Sequence, residues 1–376
     1  MRTAPRRRFA VRLAAALQAT LLMSLGIVVS TGGPANAWLS PGTVITSTTA
    51  TLPPELAPLA NGKRIQYFTT SVTGATTVAT GLVLTPKTGK TNRTVVWSHG
   101  TTGIADKCTP STNQAVFWPE ARAAIAALLR KGWTVTAPDY PGLGTPEAHP
   151  YLVGNSEGRA IIDSVKAARS LDPALSTQYA VDGHSQGGQG ALFAGQLAPS
   201  YDGSLVLKGV AAIAPVSNLD MIAPEIPGSP GQGYLVMALY GINAVEPTFN
   251  PNSYLASPAK QRTSVLQTGC LNEILEAYAP LNADELVPNG VVSPTVLSKL
   301  AQYGNPATVP PSAPILIVQG TDDDAVPYAI TAGPLLDELD QYDQEVTFVP
   351  ITGASHDGAV FASVDTVTAW IATHFS

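Results

Sequence analysis

The sequence predicts an α/β fold: a mostly parallel sheet with helices on both faces and a helical segment inserted late in the chain. Three observations carry this. Short β-branched runs alternate with helical stretches from Thr94 to Ala214. Pro314-Ile315-Leu316-Ile317-Val318-Gln319-Gly320 is an almost unbroken apolar run, as a parallel strand covered on both faces requires. The rhythm then fails between Pro215 and Pro311, a gap far longer than one strand-to-helix connection needs.

The elements follow in order. Trp38 to Leu59 is rich in Pro and Thr and reads as a segment wrapped over the surface. Arg64–Thr69 and Thr77–Leu84 alternate around Thr73-Gly74, which predicts an antiparallel pair at the sheet edge. Thr94–Ser98 is a strand, Pro119–Lys131 a helix stopped by Gly132, and Trp133–Ala137 the next strand. Glu157–Leu171 is an amphipathic helix with Ile161, Ile162, Val165 and Ala168 inward. Gln178–Asp182 and Val206–Ala214 are strands on either side of a small-residue helix. In the insertion, Gly231–Tyr240, Ser264–Ala279 and Ser293–Tyr303 read as helices. A strand at Glu345–Val349 and a C-terminal helix close the chain.

The chemistry begins at Gly183-His184-Ser185-Gln186-Gly187. A strand, a tight turn and a helix around Gly-x-Ser-x-Gly lift the serine hydroxyl to the top of a sheet. Glycines flank it because a side chain there would strike the crossing elements. A serine hydroxyl is a weak nucleophile at neutral pH, so Ser185 needs a base, and the base an orienting acid. Only His356 and His374 follow Ser185. His356 lies in the small-residue loop Thr352–Gly358, whereas His374 ends a helix, so His356 is the expected base. The acid is expected after the buried strand, in Thr321-Asp322-Asp323-Asp324, where the residues alone leave the three aspartates open. Asp139 precedes Ser185 and reads as a loop brace. The loop His99-Gly100-Thr101-Thr102-Gly103 follows a strand and would bring an N–H to a developing oxyanion, with Thr102 and Thr101 as candidates. The N–H of Gln186 is the second donor. His99 reads as structural.

Oxyanion loop, nucleophile, acid and base in this order along the chain resemble the α/β-hydrolase superfamily. Cys108 beyond the oxyanion loop, Cys270 within the insertion, Asp139-Tyr140-Pro141-Gly142-Leu143-Gly144 and the spacing from Asp323 to Pro327 narrow the resemblance to the secretory lipase family. The resemblance runs from about Gly62 to the C-terminus. It implies Asp323 as the acid with Asp324 next, a disulfide between Cys108 and Cys270, a cap over the site, and hydrolysis of carboxylic esters without metal or organic cofactor. A proline-directed peptidase with the same triad is the alternative enzyme, but the insertion offers no identifiable anchor for a substrate amine. A binding protein on an inactive scaffold is the other alternative, and the complete Ser, Asp and His set argues against it.

Composition agrees. The 376 residues are 45% hydrophobic and only 13% charged, enough to bury a large core and unlike a disordered or nucleic-acid-binding chain. Arg2, Arg6, Arg7, Arg8 and Arg12 precede an apolar run from Leu13 to Val29 and the small-x-small site Ala35-Asn36-Ala37. This reads as an export signal over residues 1–37, and Arg6-Arg7-Arg8-Phe9 fits a twin-arginine signal as well as a general-secretion one. Cleavage after Ala37 would remove five arginines and no acids from 21 basic and 27 acidic residues, for a net charge of −11. Such a surface disfavours nucleic acid or anionic head groups as partners. The expected partner is a small-molecule, lipid or polymer ester, with transient contact at a lipid interface; the sequence assigns no oligomeric state. Two cysteines in an exported protein also read as one disulfide. The expected division is 1–37 signal, 38–214 first part of the core, 215–311 cap, and 312–376 second part of the core.

Overall fold

The computed structural model describes residues 40–375. The expected export signal and its cleavage site lie outside the described residues. One nine-stranded sheet organises the rest. Its strands are β1 (Val44–Thr49), β2 (Ala60–Thr70), β3 (Thr76–Pro86), β4 (Thr94–Ser98), β5 (Thr134–Pro138), β6 (Gln178–His184), β7 (Val206–Ile213), β8 (Ile315–Gly320) and β9 (Val346–Ile351). They lie in the order β1-β2-β3-β5-β4-β6-β7-β8-β9. The first three are antiparallel to their neighbours, and the six from β5 to β9 run parallel.

The expected antiparallel pair is β2 and β3, but it is not the edge. Val44–Thr49, inside the segment read as a surface wrap, adds one more strand antiparallel to β2. Its residues are mostly exposed, so it has no buried face to betray it in the sequence. The central strands β4, β5 and β8 are buried throughout, which explains the nearly continuous apolar run of β8.

Helices cover both faces. α1 (Pro119–Arg130) and the C-terminal helix His356–His374 pack on one, with Val95, Trp97, Ile125, Leu128, Leu316 and Ile371 in the core. α2 (Gly154–Leu171) and α3 (Gln186–Tyr201) pack on the other, where Ile161, Ile162, Val165 and Ala168 are fully buried as their spacing requires. Ile161, Ile162 and Val165 each contribute about 1.5–3 kcal/mol of burial free energy.

Between β7 and β8 lies the helical insertion. Its longest helix, Gln232–Val245, is followed by Leu271–Tyr278 and Pro294–Gly304 and by shorter turns. The stretch Ser264–Ala279, expected as one helix, breaks at Gly269-Cys270 because the cysteine is drawn into a disulfide. The insertion has its own hydrophobic cluster, which also takes in Tyr151, Leu152 and Val326 from the core. Leu235, Met237 and Leu239 are all buried in that cluster. A side chain at Gly241 would collide with the backbone of Tyr151, so the long helix rests directly on the core.

Strand order reverses about β4: β5 lies on one side of it and β6 on the other. In open α/β sheets the crevice beyond the strand C-termini at such a switch point is where ligands bind.

Candidate active site

The C-terminal ends of β4, β6, β8 and β9 carry the candidate residues. Ser185 follows β6 directly and precedes α3, with φ 56° and ψ −118°. A non-glycine residue in that region is strained by roughly 1–3 kcal/mol and must be held by its surroundings. The holding groups are visible. The Ser185 N–H donates to Ile213 O at 2.9 Å, and its carbonyl accepts from Gln189 at 3.0 Å and Val216 at 3.2 Å. A Cβ on Gly183 would strike the carbonyl of Gly187, and one on Gly187 the carbonyl of Ser98. That is the steric reason for both glycines of the motif.

β8 delivers the candidate acid. The Asp323 side chain is fully buried and accepts four hydrogen bonds. Oδ1 takes the backbone N–H of Ala325 at 2.9 Å and Val326 at 2.8 Å. Oδ2 takes Gln319 Nε2 at 2.7 Å and His356 Nδ1 at 2.8 Å. Asp322 and Asp324 are exposed. The geometry therefore brings Asp323, of the three aspartates, to the histidine. Because a carboxylate only accepts, His356 Nδ1 carries the proton and Nε2 is left as the basic nitrogen.

His356 is the first residue of the C-terminal helix rather than a loop residue. The small residues before it make the turn, and Ser355 caps the helix by accepting from Gly358. The His184 ring lies 4.6 Å from that of His356, and its Nε2–H donates to the His356 carbonyl at 3.3 Å. Burial first, and then the neighbouring His356, push the His184 imidazole well below the usual histidine range. It is a neutral prop for the base. Among the described residues, Ser185 Oγ has no hydrogen-bond partner; Ser185 is 8% exposed. Among the described residues, His374 bonds within its own turn, to Trp370 O and Thr373.

The loop after β4 passes beside the serine. A Cβ on Gly100 would come within 3.4 Å of Ser185 Cβ. Thr101 and Thr102 are both buried. The Thr101 hydroxyl is engaged with Tyr151 OH at 2.8 Å, and its carbonyl accepts from Trp118 Nε1. Thr102 O accepts from Leu271 N at 2.9 Å, whereas Thr102 Oγ1 is buried with no hydrogen-bond partner. Gln186 opens α3, so its N–H belongs to the helix's unpaired first turn. Cys108 and Cys270 form a disulfide across 162 residues, with Cα atoms 5.5 Å apart. It abuts Gly103, where a Cβ would lie 2.8 Å from Cys108 Sγ. The disulfide and the Leu271 bond thus tie the insertion to the oxyanion-loop candidate.

Asp139 is a brace. Its carboxylate accepts from Thr80 Oγ1 at 2.7 Å and Ser111 N at 2.9 Å. His99 is buried, donates to Gly100 O at 2.7 Å and packs on Tyr140, as a structural residue would. Sequence reasoning missed Gln319 and His184. A glutamine in an otherwise apolar buried strand was the available signal for the first. Tyr234, on the long insertion helix, was missed too: burial and then the charges of Asp357, Asp324 and Asp323 push its phenol up to about 12, and the insertion's apolar cluster takes in Val326 of that acidic loop.

A secretory-lipase family profile matches residues 113–376, well over half the chain. The chain belongs to the secretory lipase family. The match begins after the oxyanion loop and Cys108, so those features rest on the geometry above. The family places the chain among secreted lipases and esterases of the α/β-hydrolase superfamily. Secreted triacylglycerol lipase LIP7 of Malassezia globosa is 27% identical over 338 residues, covering 84% of this chain and 71% of the relative. LIP4 of the same organism is 28% identical, covering 69% of this chain and 60% of that relative. In fold, the chain is similar to Candida antarctica lipase A in its closed state, with a TM-score of 0.76 at 21% identity over 91% of this chain and 84% of the other. It is also similar to the rice cell wall degrading esterase LipA of Xanthomonas oryzae, with a TM-score of 0.70 at 22% identity over 88% and 97%.

Proposed function

We propose that the chain hydrolyses neutral carboxylic esters through an acyl-enzyme on Ser185. The observation that carries this is the 2.8 Å bond from His356 Nδ1 to the fully buried Asp323, at the same C-terminal edge of the sheet as the strained serine. Ser185 Oγ attacks the ester carbonyl while His356 Nε2 takes its proton. His356 returns that proton to the leaving alcohol as the tetrahedral intermediate collapses to the acyl-enzyme. Water, deprotonated by His356, then attacks the acyl carbon, and His356 returns that proton to Ser185 Oγ as the acid is released. Asp323 fixes the tautomer and stabilises the imidazolium. The N–H of Gln186 and a donor from Thr101 or Thr102 receive the oxyanion, each donor being worth about 3 kcal/mol of barrier. The unpartnered, buried Oγ1 of Thr102 favours it over Thr101, whose hydroxyl is bonded to Tyr151.

The helical insertion acts as the cap. Its long helix rests on Tyr151 and its apolar cluster takes in Val326 of the acid loop, so an acyl chain entering the site meets it. The relatives named as triacylglycerol lipases favour a lipid ester, and the acidic mature charge favours an uncharged one. The test is Ser185→Ala beside the wild type, with fluorophosphonate labelling and a graded series of p-nitrophenyl esters against the matching anilides. Ester turnover and labelling should vanish together in the variant. Residual activity within about tenfold of wild type, or anilides preferred over esters, would sink the reading.

A further inference from the structure

We propose, on the reading that Ser185 is the nucleophile, that Glu157 is a positioning residue: it holds the Gln186 side chain so that the Gln186 N–H stays aimed at the oxyanion, and it must be uncharged so that it does not oppose the charge developing there. Glu157 lies on α2, fully buried, and takes no part in the triad. Its Oε1 accepts from Gln186 Nε2 at 2.8 Å and from Leu152 N at 3.2 Å. The same Gln186 Nε2 faces His149 Nε2 at 3.3 Å. His149 Nδ1–H donates to Pro141 O at 2.7 Å, so its Nε2 carries the lone pair and accepts from Gln186. The side chain of the residue after the nucleophile is thus gripped from two elements, α2 and the loop after β5. Glycines let α2 and α3 come this close: a Cβ on Gly190 would touch Glu157 Cβ and Oε2, and one on Gly158 would touch Ala194 and Leu197. Loss of this grip would free the start of α3, and with it the Gln186 N–H, to shift, and a misplacement of about 1 Å at a reacting centre can cost about a hundredfold in rate.

The charge requirement comes from the surroundings. The titratable groups facing Glu157 are His149, Tyr140 and Tyr151. Burial pushes His149 down to about 4 and the two phenols well above their ordinary range, so all three are neutral at working pH. With no facing cation, burial pushes Glu157 itself up to about 8. Oε2 has no hydrogen-bond partner to stabilise an anion. Once ionised, the carboxylate would set a negative charge beside the helix end where the oxyanion develops, and like charges in a buried setting repel strongly.

The experiment measures kcat and KM by pH-stat on a short-chain ester from about pH 6 to 10 for wild type, Glu157→Gln, Glu157→Leu and Ser185→Ala. Wild-type kcat should decline above about pH 8 with KM little changed, and Glu157→Gln should lose that decline because it cannot ionise. Glu157→Leu, which removes the acceptor, should lower kcat about tenfold or more, again with KM little changed, and Glu157→Gln should retain more of it. If the leucine variant fails to fold, the glutamine profile decides. A Glu157→Gln profile that superimposes on wild type, alkaline limb included, overturns the proposal while leaving Ser185 intact. Turnover by Ser185→Ala overturns the site reading itself.

Discussion

Asparagine at position 323 would exchange one carboxylate oxygen for an NH2 group at a site where four donors converge. The two backbone donors, from Ala325 and Val326, cannot turn away, so the amide oxygen must stay where Oδ1 is. The NH2 then faces Gln319 Nε2 and His356 Nδ1, both of which donate in the native arrangement. Gln319 cannot simply flip, because its Oε1 already accepts from Thr331 at 2.9 Å. His356 can answer only by moving its proton to Nε2, which removes the lone pair that should deprotonate Ser185. The wrong tautomer costs on the order of 10⁴ in kcat in a serine triad. With the His356 proton moved, the Gln319 donor stays mismatched, at a cost of about 1–3 kcal/mol, which is a loss of a few degrees in Tm. The assay is kcat on a p-nitrophenyl ester near pH 8 together with calorimetric Tm, with Asp322→Asn and Asp324→Asn as controls. Both control carboxylates are exposed, and their variants should stay close to wild type. Asp323→Asn within about tenfold of wild type, or a larger loss from Asp324→Asn, would refute the reasoning.

Three further outcomes are expected. Replacing both Cys108 and Cys270 by alanine releases a 162-residue loop, so stability should fall by up to about 5 kcal/mol on the chain-entropy model; an unchanged calorimetric Tm would contradict it. Burial pushes Asp182 up to about 8, against about 4 in the unfolded chain. The native state then holds a proton that unfolding releases, so this group's contribution falls as pH rises from about 4 to 8; Asp182→Asn should flatten the decline of Tm across that window, and a parallel curve would rule Asp182 out as its source. Leu235, Met237 and Leu239 are buried between insertion and core, so Leu239→Ala should lower Tm through a loss of about 2–5 kcal/mol; a shift in acyl-chain preference without a Tm change would put the side chain in the acyl pocket instead.

What the sequence determined by itself was local. Gly183-His184-Ser185-Gln186-Gly187 can adopt only a few backbone paths, and the glycine collisions with Ser98 and Gly187 are the same steric facts seen from the folded side. The apolar run of β8 and the 3.6-residue spacing of α2 specify burial within one element, so strands and helices were legible from period alone. Tertiary structure decided what depends on partners distant in the chain. Which of three adjacent aspartates faces His356 turns on the tight bend that buries Asp323 against Gln319 while leaving its neighbours in water. Val44–Thr49 became a strand because β2 offered it an open edge, a backbone interaction that leaves no side-chain pattern. The grip of Glu157 and His149 on Gln186 joins residues 29 and 37 positions apart, and only packing of α2 against α3 could assemble it.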